Sequence, residues 1–90
     1  MKLSDLEYSL LLAIDVEAED RRDYVPLGRA LFHFASLNVA LNTVDSCVAK
    51  KLVVTSELNK VDCIALTESG IRACIARKKE LNHVPDIPYY

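Results

Sequence analysis

The chain has 90 residues, of which 51% are hydrophobic and 27% are charged. This composition is typical of one globular domain and excludes both a disordered chain and a membrane protein. The 11 Lys and Arg against 13 Asp and Glu give a net charge of −2, which argues against a general binder of polyanions. The charge is unevenly distributed, because residues 1–23 carry a net −4 and residues 24–90 a net +2.

From the sequence we expect neither a secretion signal nor a membrane-spanning helix. The start is interrupted by acidic residues, and the longest apolar run, Leu10 to Ile14, has 5 residues, whereas a membrane-spanning helix needs about 20. Three cysteines, Cys47, Cys63 and Cys74, cannot all pair within one chain and are interpreted as buried apolar side chains, with a redox-sensing thiol as the alternative. We expect a cytoplasmic protein that holds neither a metal ion nor a cofactor.

The first helix is predicted from a capping box, in which the side chains of Ser4 and Glu7 each bind the other residue's backbone N–H. Its core-facing stripe is predicted to contain four residues at helical spacing: Leu6, Leu10, Ala13 and Ile14. A second apolar ridge, on nearly the opposite side, consists of Tyr8, Leu12 and Val16. Either the C-terminal helix covers this ridge within the monomer, or the ridge is the surface of a homodimer or of a complex with a protein partner.

Two further helices are predicted after a charged linker, with a tight turn between them. Pro26 suits the first turn of a second helix that runs to about Ala35. Asn38 tolerates the left-handed backbone region and is the predicted turn residue. A third helix over about 40–51 is predicted to bury three residues: Val44, Cys47 and Val48. The opposite face of this helix carries Asn42, Asp45, Ser46 and Ala49.

The apolar periodicity then changes from about 3.6 to 2 residues, which predicts a β-hairpin. Its strands cover Val54–Leu58 and Val61–Leu66, and Asn59 with Lys60 forms the two-residue turn. Thr67 is the expected N-cap of a last helix, which completes a single domain over 1–82. The remaining residues, 83–90, are predicted to be an extended tail because their prolines exclude a helix.

Three helices, a β-hairpin and a closing helix are the parts of a winged helix-turn-helix, an α+β fold that is mostly α. Residues 37–48 resemble the turn and recognition helix of multiple-antibiotic-resistance-regulator (MarR) type proteins, which usually read Leu-Gly-Leu-Ser-x-x-Thr-Val. In this alignment Asn38 replaces the usual Gly, and Ala40 replaces the usual Ser cap. Residues 64–70 resemble the Leu-Thr-x-x-Gly segment that follows the wing in that family. The long dimerisation helices of the family are missing.

The resemblance implies a small DNA-binding transcriptional regulator, a repressor or an accessory factor, which inserts its third helix into the major groove and uses the 54–66 hairpin as a wing. Base edges would be contacted by Asn42 and Asp45, while Thr43 and Ser46 would reach bases or phosphates. Phosphates would be contacted by Arg29, Lys50, Lys51 and Lys60. No nucleophile with a base and no phosphate-cradling glycine loop can be placed, so we do not expect an enzyme.

The alternative is a winged-helix protein–protein interaction module that does not bind DNA. The net acidity of the chain favours this alternative, and so does the predicted groove face of the third helix, which carries Asp45 but no Lys or Arg before Lys50.

Overall fold

The computed structural model describes residues 3–20 and 22–82. In these ranges four helices and three strands follow one another: α1 (Asp5–Glu17), β1 (Val25–Pro26), α2 (Leu27–Leu31), α3 (Leu37–Ala49), β2 (Val53–Leu58), β3 (Val61–Leu66) and α4 (Glu68–Asn82). The strands form one antiparallel sheet in the order β1-β3-β2. The predicted winged helix-turn-helix fold is therefore confirmed, while the predicted tail over 83–90 lies outside the described residues.

The capping box at the start of α1 is confirmed. The Glu7 backbone N–H donates to Ser4 Oγ at 3.1 Å, and the Ser4 backbone N–H donates to Glu7 Oε1 at 2.8 Å. The predicted core-facing stripe is wrong in one residue, because Leu6 is 48% exposed and Leu11 is fully buried. The helix is rotated so that Glu7 itself lies on the buried side.

The second helix is shorter than predicted at both ends. Val25 and Pro26 form β1 and pair with Ile64 and Cys63 of β3, so Pro26 precedes the helix instead of lying in its first turn. Proline is tolerated there because β1 is an edge strand. Helix α2 then ends at Leu31, four residues before the predicted end.

Helix α3 begins three residues earlier than predicted. Ser36 has an extended backbone, and its Oγ accepts the Val39 N–H at 3.5 Å, so Ser36 is the N-cap. Asn38 lies inside α3 and not in the turn, and Ala40 is fully buried and not at a cap position. The prediction of a turn at Asn38 and of a missing cap at Ala40 is therefore wrong.

The end of α3 requires a left-handed residue, and that residue is Lys51, with φ 59°. The Lys51 N–H donates to Val48 O at 3.0 Å and the Leu52 N–H donates to Cys47 O at 2.9 Å, the bond pattern of a Schellman motif. Glycine usually occupies this position because a Cβ costs about 1 kcal/mol in the left-handed region.

Lys51→Gly is expected to raise the free energy of unfolding by roughly 1 kcal/mol, because glycine adopts the left-handed backbone without a Cβ penalty. Lys51→Ala is the matched control: it removes the same charge but keeps a Cβ, so we expect no gain in stability. Urea unfolding of both variants at pH 7 measures the difference. Equal stability of the Gly and Ala variants would rule out backbone strain at this position.

The wing follows the predicted hairpin. Strands β2 and β3 pair from Val53 opposite Leu66 to Leu58 opposite Val61. Asn59 and Lys60 both have positive φ, 53° and 64°, as the two central residues of a type I′ turn require. The prediction of a hairpin with its turn at these two residues is confirmed.

The segment Thr67–Gly70 ties α4 to the end of α3. Thr67 Oγ1 donates to Lys51 O at 2.7 Å and accepts the Gly70 N–H at 3.1 Å, and the Thr67 N–H donates to Leu52 O at 3.0 Å. Thr67 is thus the N-cap of α4, as predicted. These bonds place the start of α4 directly against the backbone of Leu52.

The core lies between α1, the sheet, α3 and the first half of α4. Its fully buried large side chains include Leu10, Leu11, Ile14 and Ile64. All three cysteines are buried, as predicted, and burial raises the pKa of the Cys47 thiol to about 11, which keeps it protonated and unreactive near neutral pH.

Candidate nucleic-acid interface

Helix α3 presents a solvent face that carries a single charge, on Asp45. Its exposed residues are Leu37, Asn38, Val39, Leu41, Asn42, Asp45, Val48 and Ala49. Val48 is 42% exposed, so the prediction that it lies in the core is wrong. The side chains that can exchange hydrogen bonds with base edges are the amides of Asn38 and Asn42 and the carboxylate of Asp45.

Thr43 does not belong to this face. Its side chain is buried, with 5% of the residue exposed, and its Oγ1 donates to Val39 O at 2.7 Å. The expectation that Thr43 reaches bases or phosphates from the exposed side of the helix is therefore wrong.

Ser46 and Lys50 also point away from the solvent face, because both bind Glu7 of α1. Ser46 Oγ donates to Glu7 Oε2 at 2.5 Å, and Lys50 Nζ lies 2.8 Å from the carboxylate. Together with the Ser4 N–H, these donors stabilise the ionised form, and the Lys50 ammonium contributes most. They lower the pKa of Glu7 from 4.5 to about 2.

Glu7 is only 4% exposed, and sequence reasoning assigned it no role beyond the cap. One signal for its burial was present: Glu7, Leu10, Leu11 and Ile14 follow the i, i+3, i+4, i+7 spacing of a buried helix face. A carboxylate is accepted on such a face only where donors satisfy it. Glu7 thereby joins the first turn of α1 to the last turn of α3.

Three of the predicted phosphate contacts remain available. Arg29 on α2, Lys51 at the end of α3 and Lys60 at the tip of the wing are exposed. Their side chains form no ion pair or hydrogen bond with another residue of the ranges 3–20 and 22–82. Lys50, the fourth predicted contact, is two-thirds buried beside Glu7.

A groove separates α3 from the wing, and the charged side chains that line it are all acidic. We define the α3–wing groove by three apolar residues, Leu27, Leu41 and Val44, and three carboxylates, Asp45, Glu57 and Asp62. No Lys or Arg of the described residues lines it. Carboxylates at this place repel phosphate groups, so the electrostatic attraction for DNA comes from the flanking cations alone.

The apolar ridge predicted on α1 is largely covered within the monomer. The Arg77 guanidinium of α4 lies over the Tyr8 ring at 4.7 Å from its centroid. Lys78 of α4 pairs with Asp15 of α1, and Leu12 packs against the core. Val16 remains 71% exposed. The three ridge residues therefore do not form one continuous exposed surface.

Residues 3–20 and 22–82 lack two further classes of site. No helix there is both long and apolar enough to span a membrane. The same residues contain no group of three or more His, Cys, Asp and Glu side chains placed to hold a metal ion.

No family model and no curated protein matches the sequence, but solved structures resemble the fold. One is an archaeal protein reported as a mechanosensitive channel and found to be a structural homologue of MarR-like transcriptional regulators. It has a TM-score of 0.69 and 21% identity, and the match covers 88% of this chain and 69% of that one. Another is BpsR of Bordetella bronchiseptica, whose DNA binding is regulated by 6-hydroxynicotinic acid. Its TM-score is 0.69 at 14% identity, over 97% of this chain and 65% of that one.

The chain thus spans about two thirds of the length of each neighbour. Identities this low show a shared fold. The order of the elements, the type I′ turn of the wing and the Thr67 cap are consistent with these two structural matches. The protein has the winged-helix fold of MarR-like transcriptional regulators.

Proposed function

We propose that this protein is a DNA-binding regulator of transcription that inserts α3 into the major groove and sets the β2–β3 wing against the flanking backbone. The observation that carries the proposal is the placement of an exposed α3 beside an exposed hairpin, in a fold shared with MarR-like regulators. One structural neighbour is a structural homologue of MarR-like transcriptional regulators, and DNA binding by the other is regulated by 6-hydroxynicotinic acid, which supports a regulatory function.

The proposed base contacts come from the outer face of α3. Asn42 pairs with an adenine edge, and Asn38, which the structure adds to this face, is placed to do the same. Asp45 accepts from a cytosine N4 amine, and Leu41 contacts a thymine methyl group. Thr43 and Ser46 are left out because their hydroxyl groups already donate within the protein.

The proposed phosphate contacts are Arg29, Lys51 and Lys60. Neutralising three phosphates corresponds to a log–log salt slope of about −3 for each bound chain. This slope is shallow for a DNA-binding protein, so we expect affinity to depend on the base contacts and to be weak on random sequence.

Polarisation titrations with genomic fragments at about 50 mM salt test the proposal, because contacts to phosphates are strongest at low salt. Asn42→Ala is expected to weaken binding to the preferred site by about 1–3 kcal/mol and to reduce the sequence preference at one base pair. Lys60→Ala is expected to lower the affinity for all DNA sequences alike and to make the log–log salt slope shallower by about 1. Lys79→Ala, on the exposed side of α4, is the control and leaves binding unchanged.

Two results would contradict the proposal. If no fragment is retained above non-specific competitor, the protein does not bind DNA specifically. If Asn42→Ala and Lys60→Ala both lower the affinity equally for all DNA sequences, α3 does not make base-specific contacts.

A further inference from the structure

The floor of the α3–wing groove contains three apolar side chains, Leu27, Leu41 and Val44, which lie beside the polar Thr55 and Ser56 of β2. Its volume is about 360 Å³, near the lower end of the range for ligand sites. Val44 is almost fully buried at the base, Leu27 is half-buried, and Leu41 is 40% exposed on the α3 side. The floor can therefore accept a large apolar side chain from another molecule.

The rim of the same groove carries three carboxylates, one from each of three elements. Asp45 comes from α3, while Glu57 of β2 lies directly opposite Asp62 of β3 in the hairpin. None of the three has a hydrogen-bonding or ion-pair partner among the described residues. Like charges directly opposite each other in a hairpin are destabilising unless a cation lies between them.

These two properties define the chemistry of the occupant. An apolar floor requires an apolar side chain, and three unpaired carboxylates require cations around it. Phosphate groups are repelled, which disfavours a nucleic acid in the groove itself. A helical or extended protein segment in which an apolar side chain is flanked by Lys or Arg satisfies both requirements.

We propose that the α3–wing groove is the docking site for such a cationic, apolar segment of a partner protein. The apolar side chain enters between Leu27, Leu41 and Val44, and the flanking Lys or Arg side chains pair with Asp45, Glu57 and Asp62. This proposal does not require that the protein bind DNA. If the DNA proposal also holds, the docked segment covers Leu41 and Asp45 and competes with DNA for α3.

The test uses a fluorescein-labelled peptide of about 15 residues, rich in Ala for helicity, with Leu at i, i+3 and i+7 and Arg beside each Leu. Its binding to the intact protein is measured by fluorescence polarisation without DNA. The groove variant Asp45→Asn/Glu57→Gln/Asp62→Asn is expected to bind about tenfold or more weakly than the unsubstituted protein, because three charge pairs are lost. These isosteric substitutions also remove the repulsion across the hairpin, so the variant remains folded, which circular dichroism verifies.

The control variant is Glu19→Gln/Glu68→Gln/Glu80→Gln. It changes the net charge equally at exposed carboxylates outside the groove and is expected to bind the peptide within about twofold of the unsubstituted protein. A peptide with Glu in place of Arg is expected not to bind. Equal weakening in the groove and control variants would show that net charge alone attracts the peptide. That result, or an absence of saturable binding by the Arg peptide, would overturn the proposal.

Discussion

Gly70→Ala is expected to lower the free energy of unfolding by about 3 kcal/mol or more, a large share of the stability of a domain this size. A Cβ at Gly70 would lie 2.1 Å from the carbonyl oxygen of Leu52 and 3.2 Å from its carbonyl carbon. Both are backbone atoms, so no side chain can move aside. The start of α4 must shift instead, and the shift strains the bond from the Thr67 N–H to Leu52 O.

The chain contains one other glycine, and it provides a matched control. A Cβ at Gly28 meets nothing within 4 Å, and Gly28 lies inside α2 without a positive φ. Gly28→Ala is therefore expected to raise the free energy of unfolding by up to about 1 kcal/mol. The same Gly→Ala substitution is thus expected to lower the free energy of unfolding at Gly70 and to raise it at Gly28.

Thermal and urea unfolding at pH 7 measure both effects. For a domain this size, the loss expected for Gly70→Ala corresponds to a decrease in Tm of roughly 15 °C. If Gly70→Ala lowered the stability by less than about 1 kcal/mol, α4 would have to approach Leu52 less closely than the structure places it.

The features that were predicted correctly from the sequence depend on contacts between near neighbours in the chain. The capping box joins residues three apart, the I′ turn is made by Asn59 and Lys60, and Thr67 caps a helix that begins one residue later. Each of these local structures is specified by a short sequence pattern whose backbone geometry is known. The order of elements follows from such patterns, so the fold class was predictable.

The features that were missed depend on contacts between distant parts of the chain. Strand β1 has two residues, too few to show an alternating pattern, and it exists because β3 offers a free edge. Ser46 and Lys50 were assigned to DNA because the carboxylate that binds them lies 39 and 43 residues earlier in the chain. The acidic groove forms only when α3 brings Asp45 next to the wing.

The second large effect is expected at Glu7. Glu7→Gln keeps the shape of the side chain but removes the charge that Lys50 and Ser46 bind. The lowered pKa of Glu7, about 2 against an ordinary 4.5, corresponds to about 3 kcal/mol of stability near neutral pH. We therefore expect Glu7→Gln to lower the free energy of unfolding by about 2–3 kcal/mol at pH 7.

This contribution depends on pH in a defined direction. The unfolded chain binds a proton at Glu7 near pH 4.5, while the folded protein resists protonation until about pH 2. Between these values the unfolded state holds more protons, so stability falls as the pH is lowered through this range. The contribution is fully present only well above the unfolded pKa of 4.5, and so at neutral pH. Urea unfolding at several pH values is expected to show the difference between the unsubstituted protein and Glu7→Gln shrinking from pH 5 towards pH 2.

A double-mutant cycle with Lys50→Met separates the Glu7–Lys50 pair from the other bonds of Glu7. Lys50→Met leaves a carboxylate that is 4% exposed without its cation, so we expect a loss of about 2 kcal/mol or more at pH 7. In Glu7→Gln/Lys50→Met no buried charge is left unpaired, and the combined loss is expected to be about 1–2 kcal/mol smaller than the sum of the single losses. The coupling is expected to decline with the pH, because protonation of Glu7 ends its attraction for the ammonium. Additive losses at pH 7, or a coupling that stays constant down to pH 2, would mean that this ion pair does not hold α3 to α1.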